Sequence, residues 1–265
     1  MRTISTTPIP SLSLIKLVEV LLRSTLYMSW LIITVVPHAM CVVLMSFLGL
    51  RGERLYWLAS AWLKMAVAAA RVIAGIRYSV QGWENLPQQG SQGVVLLVKH
   101  QSAYETFLMP AIMPNPLAYV FKRELLYIPF FGWAMWRLDM IHINRKLKAE
   151  SFQRIVEQGK VFLNKGIWVI MFPEGTRIPR GQRGKYKVGG VKLAIATGVD
   201  VIPIAVTSAR CWPKKSFLKY PGTVEVSIGP SISSKNCSPD QLNERVADWI
   251  EGEMQRLDPT AYLPT

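Results

Sequence analysis

The chain has 265 residues, which is enough for one α/β domain of about 200 residues with a helical appendage. Half of its residues are hydrophobic, yet Lys and Arg outnumber Asp and Glu by 31 to 17 and the formal net charge is +14. This pairing is unusual for a soluble cytosolic protein and favours an anionic membrane surface as partner. Nucleic acid is the alternative partner of a basic chain, but no nucleic-acid-binding signature is present. Three scattered cysteines fit neither a disulfide framework nor a zinc site and indicate a reducing compartment.

The first predicted element is a charge-free run of 27 residues from Ser24 to Leu50. A helix of that length would reach about 40 Å, whereas the hydrocarbon core of a bilayer is about 30 Å thick. We therefore predict a membrane-embedded helix here. Pro37 and His38 lie near the middle of the run, so a kinked span and a re-entrant hairpin of two half-helices are both compatible with it.

A second helical pattern runs from Leu55 to Ile76, with apolar residues three or four positions apart and with Lys64 and Arg71 on another stripe. It predicts an amphipathic helix on the membrane, although a helix that packs against a following domain needs the same apolar stripe. We assign residues 1–78 to an N-terminal membrane-associated helical region and residues 79–265 to a second domain, in which the candidate site described below lies.

Short apolar runs alternate with helical patterns in the second part of the chain. This alternation predicts an α/β fold with a mostly parallel sheet flanked by helices. The predicted strands and helices are, in turn, strands at 94–98, 117–121, 140–143, 167–172 and 201–206, and helices at 103–113, 149–163 and 188–197. A last helix is predicted after Ser238, which is its N-cap, with Pro239 in the first turn and Gln241 completing a capping box.

Polar residues follow most of the predicted strands, at the sheet edge where ligands of such folds bind. His100 comes after the first of these strands, five positions before Glu105. A carboxylate on one imidazole nitrogen would help the other nitrogen to take a proton from an alcohol. The spacing alone is weak evidence, because a capping or surface histidine gives the same pattern. His38 lies in the apolar run and His142 within a strand, so both are interpreted as structural.

A basic segment follows the predicted strand at 167–172. From Arg177 to Lys192 there are six basic residues and no acidic one. Guanidinium groups and a glycine-rich backbone suit a phosphate, which predicts an anion site around Arg177. For Arg180, Arg183 and Lys185 a solvated basic loop is the alternative. No cluster has metal-ligand spacing and no cofactor fingerprint is present, so neither a metal nor a cofactor is expected.

Five segments, KHQSAYETF, FKRELLYIPFFGW, IHINR, FPEGTR and VIPIAV, occur in this order between residues 80 and 230. Together they resemble the successive motifs of the glycerolipid acyltransferase family, in particular its bacterial 1-acylglycerol-3-phosphate acyltransferases. The resemblance implies that His100 and Glu105 are the catalytic pair. It also implies a binding site for the acceptor phosphate formed by Glu174, Gly175, Thr176 and Arg177, with Lys122 and Arg145 as further ligands.

Three positions depart from the family pattern. Glu105 stands where Asp is usual, Lys99 where Asn commonly precedes the histidine, and Asn144 in place of a frequent Asp. A glutamate is one methylene longer than an aspartate, so either the helix is displaced or the side chain is folded back.

The expected function is transfer of a fatty acyl group from acyl-CoA or acyl-acyl carrier protein to the sn-2 hydroxyl of lysophosphatidic acid, with backbone N–H groups after His100 facing the oxyanion. The expected partners are the bilayer, the lysophospholipid acceptor and the acyl carrier protein. The resemblance places the chain in a bacterial inner membrane with its catalytic domain on the cytoplasmic side. Alternatives are another acceptor, such as a lyso-ornithine lipid, and a non-catalytic cationic membrane or nucleic-acid binder.

Overall fold

Two long helices open the structure. The computed structural model describes residues 13–88, 93–138, 140–143 and 148–262. Helix α1 (Leu14–Phe47) runs through Pro37 without interruption, so the apolar run forms one continuous helix rather than a re-entrant pair. The chain then turns through Gly49, whose φ is +96°, and returns as α2 (Gly52–Ala69). By length and composition, both α1 and the helical stretch Gly52–Ala74 could cross a membrane.

The two helices contact each other through a few polar groups. The Tyr27 hydroxyl donates to the Ala66 carbonyl over 3.1 Å, and the Trp62 indole N–H donates to Thr34 Oγ1 over 2.9 Å. His38 Nε2 lies 3.0 Å from the Leu58 carbonyl oxygen, in the structural role expected for this histidine. The opposite face of α1 exposes a row of apolar side chains: Leu14, Ile15, Leu17, Val18, Leu21, Leu22, Leu26, Ile32, Ile33, Met40, Leu44 and Phe47. This face is consistent with membrane association.

Helix α2 ends earlier than its pattern predicts. It continues as one π-helical turn, Ala70–Ala74. Gly75 follows in the left-handed conformation, with a φ of +72°, and this conformation terminates the helix. Ile76 therefore starts strand β1 (Ile76–Gln81), and the prediction of a helix through Ile76 is wrong at this end. The domain boundary at residue 78 stays a prediction; in the structure that residue lies within β1.

Besides β1, the described residues form the strands β2 (Val95–Val98), β3 (Leu117–Lys122), β4 (Ile141–Ile143), β5 (Trp168–Met171), β6 (Val201–Val206) and β7 (Gly222–Ile228). These seven strands form one sheet in the order β1-β7-β6-β2-β5-β3-β4, and every neighbouring pair is parallel except β6 and β7. The prediction of a mostly parallel sheet is confirmed. Strands β1 and β7 were not predicted.

Helices cover both faces of the sheet, because alternate strand residues point to opposite sides. Leu96 and Val98 pack in one core with α1, α2 and α3 (Tyr104–Ile112). Val95 and Leu97 pack in a second core on the other face. That face carries the helices α5 (Lys148–Asn164), α6 (Gly189–Thr197) and α7 (Pro239–Leu257).

Two local features complete the fold. Ser238 and Gln241 form the predicted capping box at the start of α7, with each side chain bonded to the other residue's backbone N–H. A short helix, α4 (Phe131–Arg137), was not predicted and packs against α1. The contacts of α4 with α1 and of α3 with α2 hold these two N-terminal helices at the carboxyl edge of the sheet, where the predicted site lies.

Candidate active site

The carboxyl ends of β2, β3 and β5 meet at a cavity of about 610 Å³. The residues that line this cavity from the strand ends include His100, Lys122, Gly175, Thr176 and Arg177. The rest is mostly apolar and is lined by α1 and α2 through residues that include Val35, Ala39, Val42, Leu63 and Trp62. The cavity therefore offers cations and an imidazole beside a space that suits a hydrocarbon chain.

His100 and Glu105 are in direct contact. His100 Nδ1 lies 2.9 Å from Glu105 Oε1, and Glu105 is fully buried behind the imidazole ring. The ring also stacks on Phe172, with centroids 4.1 Å apart and planes at 19°. With Nδ1 engaged by the carboxylate, Nε2 has no hydrogen-bond partner among the described residues. This arrangement fixes the ring and leaves Nε2 to accept a proton in the cavity.

The Glu105 carboxylate binds the turn that precedes its own helix. Besides the imidazole, Glu105 Oε1 accepts the backbone N–H groups of Gln101 at 2.8 Å and Ser102 at 2.7 Å. One oxygen thus makes all three contacts, while Oε2 is buried without a hydrogen-bond partner among the described residues. The prediction that the N–H groups after His100 face the oxyanion is wrong for these two residues, because both bind the carboxylate instead.

A buried charge cluster lies directly behind the site. Lys99 is fully buried, and its Nζ is 2.5 Å from Glu251 Oε1 of α7 and 3.4 Å from Glu174 Oε1. Tyr186 donates its hydroxyl to the same Glu251 oxygen over 2.8 Å. Burial raises the pKa of Glu174, an effect that the Lys99 ammonium partly offsets. Glu174 Oε1 also accepts the His100 backbone N–H over 3.3 Å, so the cluster helps to position the turn that carries His100.

We expect Lys99→Met to lower the free energy of unfolding by about 3–5 kcal/mol, because it leaves the Glu174 and Glu251 carboxylates buried without their cation. Thermal or denaturant unfolding of the purified protein in detergent measures this. The double variant Lys99→Met/Glu251→Gln removes one of the two carboxylates that have lost their cation, so it should recover part of the lost free energy of unfolding. Arg183→Met breaks an exposed pair with Asp248 and serves as the control with little effect. A Lys99→Met protein as stable as wild type would contradict this account of the cluster.

The other predicted site residues fall into three groups. Lys122 and Arg177 line the cavity, and neither forms an ion pair with a described acidic residue. Gly175 and Thr176 line it as well. Gly175 has a φ of +66°, a left-handed conformation that favours glycine, whereas a Cβ there would meet only the flexible end of the Lys187 side chain. The Glu174 carboxylate points towards Lys99, away from the cavity. Arg145 lies outside the described residues.

The rest of the basic segment has mixed roles. Arg180 forms a bidentate pair with the buried Asp258, both contacts being 2.7 Å, and is therefore not a solvated loop residue. Arg183 pairs with Asp248 at the surface, while Lys185 is exposed.

Sequence reasoning missed Phe172 and Glu251. Phe172 adjoins the motif directly, but the contact of Lys99 with Glu251 spans 152 positions and has no local signal.

This geometry is typical of an enzyme: a paired histidine and carboxylate lie at a cavity that is also lined by cations and by an apolar wall. Comparisons agree with it. A family model described as Acyltransferase matches residues 77–207. The 1-acyl-sn-glycerol-3-phosphate acyltransferase of Pseudomonas aeruginosa is 44% identical over 201 residues, 75% of this chain and 77% of that protein. The Escherichia coli enzyme of the same name is 32% identical and covers 62% of this chain and 68% of its own.

A solved structure is similar over nearly the whole fold. It is that of the 1-acyl-sn-glycerophosphate acyltransferase PlsC from Thermotoga maritima, with a TM-score of 0.75 and 25% identity. The match covers 92% of this chain and 97% of that one. The chain belongs to the acyltransferase family of these relatives, and it is an enzyme. The α/β fold and the family expected from the sequence motifs are thereby confirmed.

Proposed function

We propose that the protein transfers a fatty acyl group from an acyl thioester, acyl-CoA or acyl-acyl carrier protein, to the sn-2 hydroxyl of lysophosphatidic acid, giving phosphatidic acid. The observation that carries this proposal is one cavity that joins three features. They are His100 in contact with Glu105, the cations Lys122 and Arg177, which form no ion pair with a described acidic residue, and an apolar wall formed by α1 and α2. The names of the relatives support the choice of acceptor.

In the proposed reaction His100 is the general base. Its Nε2 takes the proton of the acceptor hydroxyl as the oxygen attacks the thioester carbonyl carbon, and Glu105 stabilises the imidazolium that forms. The tetrahedral intermediate then collapses, the C–S bond breaks, and the leaving thiolate receives the proton from the imidazolium. The products are the ester and the free thiol, and His100 returns to its neutral form.

Lys122 and Arg177 bind the phosphate of the acceptor in this proposal. A phosphomonoester carries up to two negative charges on its terminal oxygens, and a guanidinium can donate hydrogen bonds to two of these oxygens at once. Fixing the phosphate fixes the distance from the sn-2 hydroxyl to His100, which makes the attack effectively intramolecular. The acyl chains would occupy the apolar part of the cavity beside α1 and α2.

We further propose that the enzyme resides in a bacterial inner membrane with the catalytic domain on the cytoplasmic side. The exposed apolar face of α1 supports attachment to a bilayer. Both candidate donors, acyl-CoA and acyl-acyl carrier protein, are found in the cytoplasm, which favours this orientation. Acceptor and product are both lipids, so neither would need to leave the bilayer.

Steady-state kinetics of purified full-length protein in detergent test the function. Wild type should acylate lysophosphatidic acid and discriminate strongly against monoacylglycerol, which lacks the phosphate. Arg177→Lys keeps the charge but loses the bidentate guanidinium, so it should raise KM for lysophosphatidic acid about tenfold or more with little change in KM for the donor. Arg183→Lys, on the exposed surface, is the matched control.

Two results would contradict this assignment. Equal rises in both Michaelis constants would remove Arg177 from the acceptor site. Acylation of a labelled lyso-ornithine lipid in preference to lysophosphatidic acid would keep the reaction but replace the acceptor.

A further inference from the structure

A second cavity of about 330 Å³ adjoins the catalytic one. Its main wall is the loop Trp212–Lys219, here called the lysine loop, which connects β6 to β7. Arg177, Lys214 and Lys215 line both cavities, so the two spaces meet at these cations. Ala103, three residues after the catalytic histidine, lies in the wall of the second cavity. The second cavity is therefore next to the reaction centre and shares part of its lining with the catalytic cavity.

The lysine loop is held in place by hydrogen bonds. The Trp212 indole N–H donates to the Ser216 carbonyl over 3.2 Å, and the Lys219 backbone N–H donates to Ser24 Oγ of α1 over 2.8 Å. The Tyr220 N–H donates to the Cys211 carbonyl over 2.7 Å and closes the base of the loop. Lys215 has a φ of +61°, a left-handed conformation that is costly for a residue with a side chain. The loop thus presents its lysines in a fixed arrangement.

The cations of this cavity lack anionic partners. Lys214, Lys215 and Arg177 form no ion pair with any described acidic residue. Lys219 is 1% exposed, and its ammonium donates to the Phe217 carbonyl over 2.5 Å and lies 4.5 Å from the Trp212 ring centroid. Burial lowers the pKa of Lys219 to about 8. An ammonium has three donors, so this one can still bind an anion.

The reaction proposed above uses two phosphate-bearing substrates, and Lys122 with Arg177 accounts for only one of them. Acyl-CoA and acyl-acyl carrier protein share a 4′-phosphopantetheine arm that carries a phosphate ester at the end remote from the sulfur. We propose that the second cavity binds this phosphate through Lys214, Lys215 and Lys219, so that the arm passes Arg177 to deliver its thioester to His100. The inference rests on the proposed function in that the donor is an acyl thioester.

A lipid phosphate in the bilayer is the other source of the same chemistry. The donor is favoured because the lysine loop lines the catalytic cavity as well as its own. A donor phosphate bound in the second cavity can be linked through its pantetheine arm to the thioester at His100. The phosphate of a bulk membrane lipid does not need a binding site that opens into the catalytic cavity. The experiments below therefore measure binding to phosphatidic acid vesicles as well as donor kinetics.

The variant Lys214→Gln/Lys215→Gln, made in the full-length protein, tests the inference with three donors that differ in phosphate content. With acyl-CoA and acyl-4′-phosphopantetheine, kcat/KM should fall about 10- to 100-fold through KM of the donor, since two charge-assisted hydrogen bonds are lost. With acyl-pantetheine, which has no phosphate, variant and wild type should agree within about twofold. KM for lysophosphatidic acid should not change.

The controls separate charge from folding. Lys160→Gln/Lys235→Gln removes the same net charge from exposed positions elsewhere and should behave as wild type. Lys214→Arg/Lys215→Arg keeps the charge in the lysine loop and should restore most of the donor affinity. An equal loss with all three donors, or no loss with any of them, would overturn the inference. So would a rise in KM for lysophosphatidic acid, or weaker binding to phosphatidic acid vesicles with unchanged donor kinetics.

Equilibrium binding separates this inference from the proposed function. An alkyl-CoA thioether and an alkyl-pantetheine thioether can be titrated onto the protein without any acceptor. Wild type should bind the CoA compound more tightly, and Lys214→Gln/Lys215→Gln should abolish most of that difference. If this holds while wild type acylates no lysophosphatidic acid, the donor site stands and the proposed acceptor fails. If wild type binds both compounds equally, the donor site fails whatever the acceptor.

Discussion

His100→Ala is expected to lower kcat by about 10²- to 10⁴-fold, which is the usual contribution of a positioned general base. The imidazole is held on one side by Glu105 and on its face by Phe172, while it lines the cavity that the acceptor would enter. His38 lines the same cavity, but its Nε2 lies 3.0 Å from the Leu58 carbonyl oxygen and no carboxylate among the described residues contacts it. Initial rates with saturating donor and acceptor measure the change.

The fold should survive this substitution. The His100 side chain is 13% exposed and adds little to the core, whereas the backbone bonds of this turn, such as that from the Ile178 N–H to the His100 carbonyl, do not depend on the side chain. Melting temperature and membrane association should therefore match wild type. His142→Ala, in β4, is the matched control and should retain turnover. A folded His100→Ala protein with wild-type turnover would refute the mechanism and would turn Lys122 and Arg177 into candidates for a membrane-contact patch.

The central strands could be predicted because they are buried on both faces. Runs such as that of β2 or β6 are continuously apolar and end abruptly at polar residues, so sequence alone gives both their extent and the edge where the chemistry lies. The same reasoning brought His100, Lys122 and Arg177 to one edge of the sheet. Parallel strands place their carboxyl ends together, and the cavity joins all three residues.

The peripheral strands gave no such signal. In β1, only Ile76 is buried while Arg77, Tyr78 and Ser79 are exposed, so its start was read as the end of the preceding helical stripe. Strand β7 is half polar, and its place in the sheet depends on its pairing with the distant strand β1 as well as with β6, which precedes it. The left-handed Gly75 that separates α2 from β1 is a backbone property that its sequence neighbours did not reveal.

Charge placement was harder to predict than chain topology. Lys99 departs from the family pattern, and its partner Glu251 comes from α7, on the far side of the second core. Nothing in the sequence predicts which residue of α7 lies opposite the turn after β2. The lysine loop has the same difficulty: Lys214 and Lys215 are an ordinary basic pair in sequence, and only the folded structure brings them beside Arg177.

Glu105→Gln should lose most of the activity that His100→Ala loses, about 10²-fold or more in kcat. The amide oxygen of Gln can keep the bonds from the Gln101 and Ser102 N–H groups, so the start of α3 should stay folded. What disappears is the negative charge that stabilises the imidazolium. The double variant His100→Ala/Glu105→Gln should be little worse than either single one, because the two groups act as a unit. Independent, multiplying losses would contradict the dyad.

Glu105→Asp is expected to lower kcat by about tenfold, between wild type and Glu105→Gln. The charge is kept, but the carboxylate retreats by about one C–C bond, roughly 1.5 Å. Because one oxygen of Glu105 holds His100 and two backbone N–H groups together, the shorter acid cannot reach all three from the present backbone. A residual Coulomb attraction to the imidazolium limits the loss. Full activity or a gain would instead mean that the turn already fits the aspartate usual in this family, and that the glutamate contacts seen here are not those of the working enzyme.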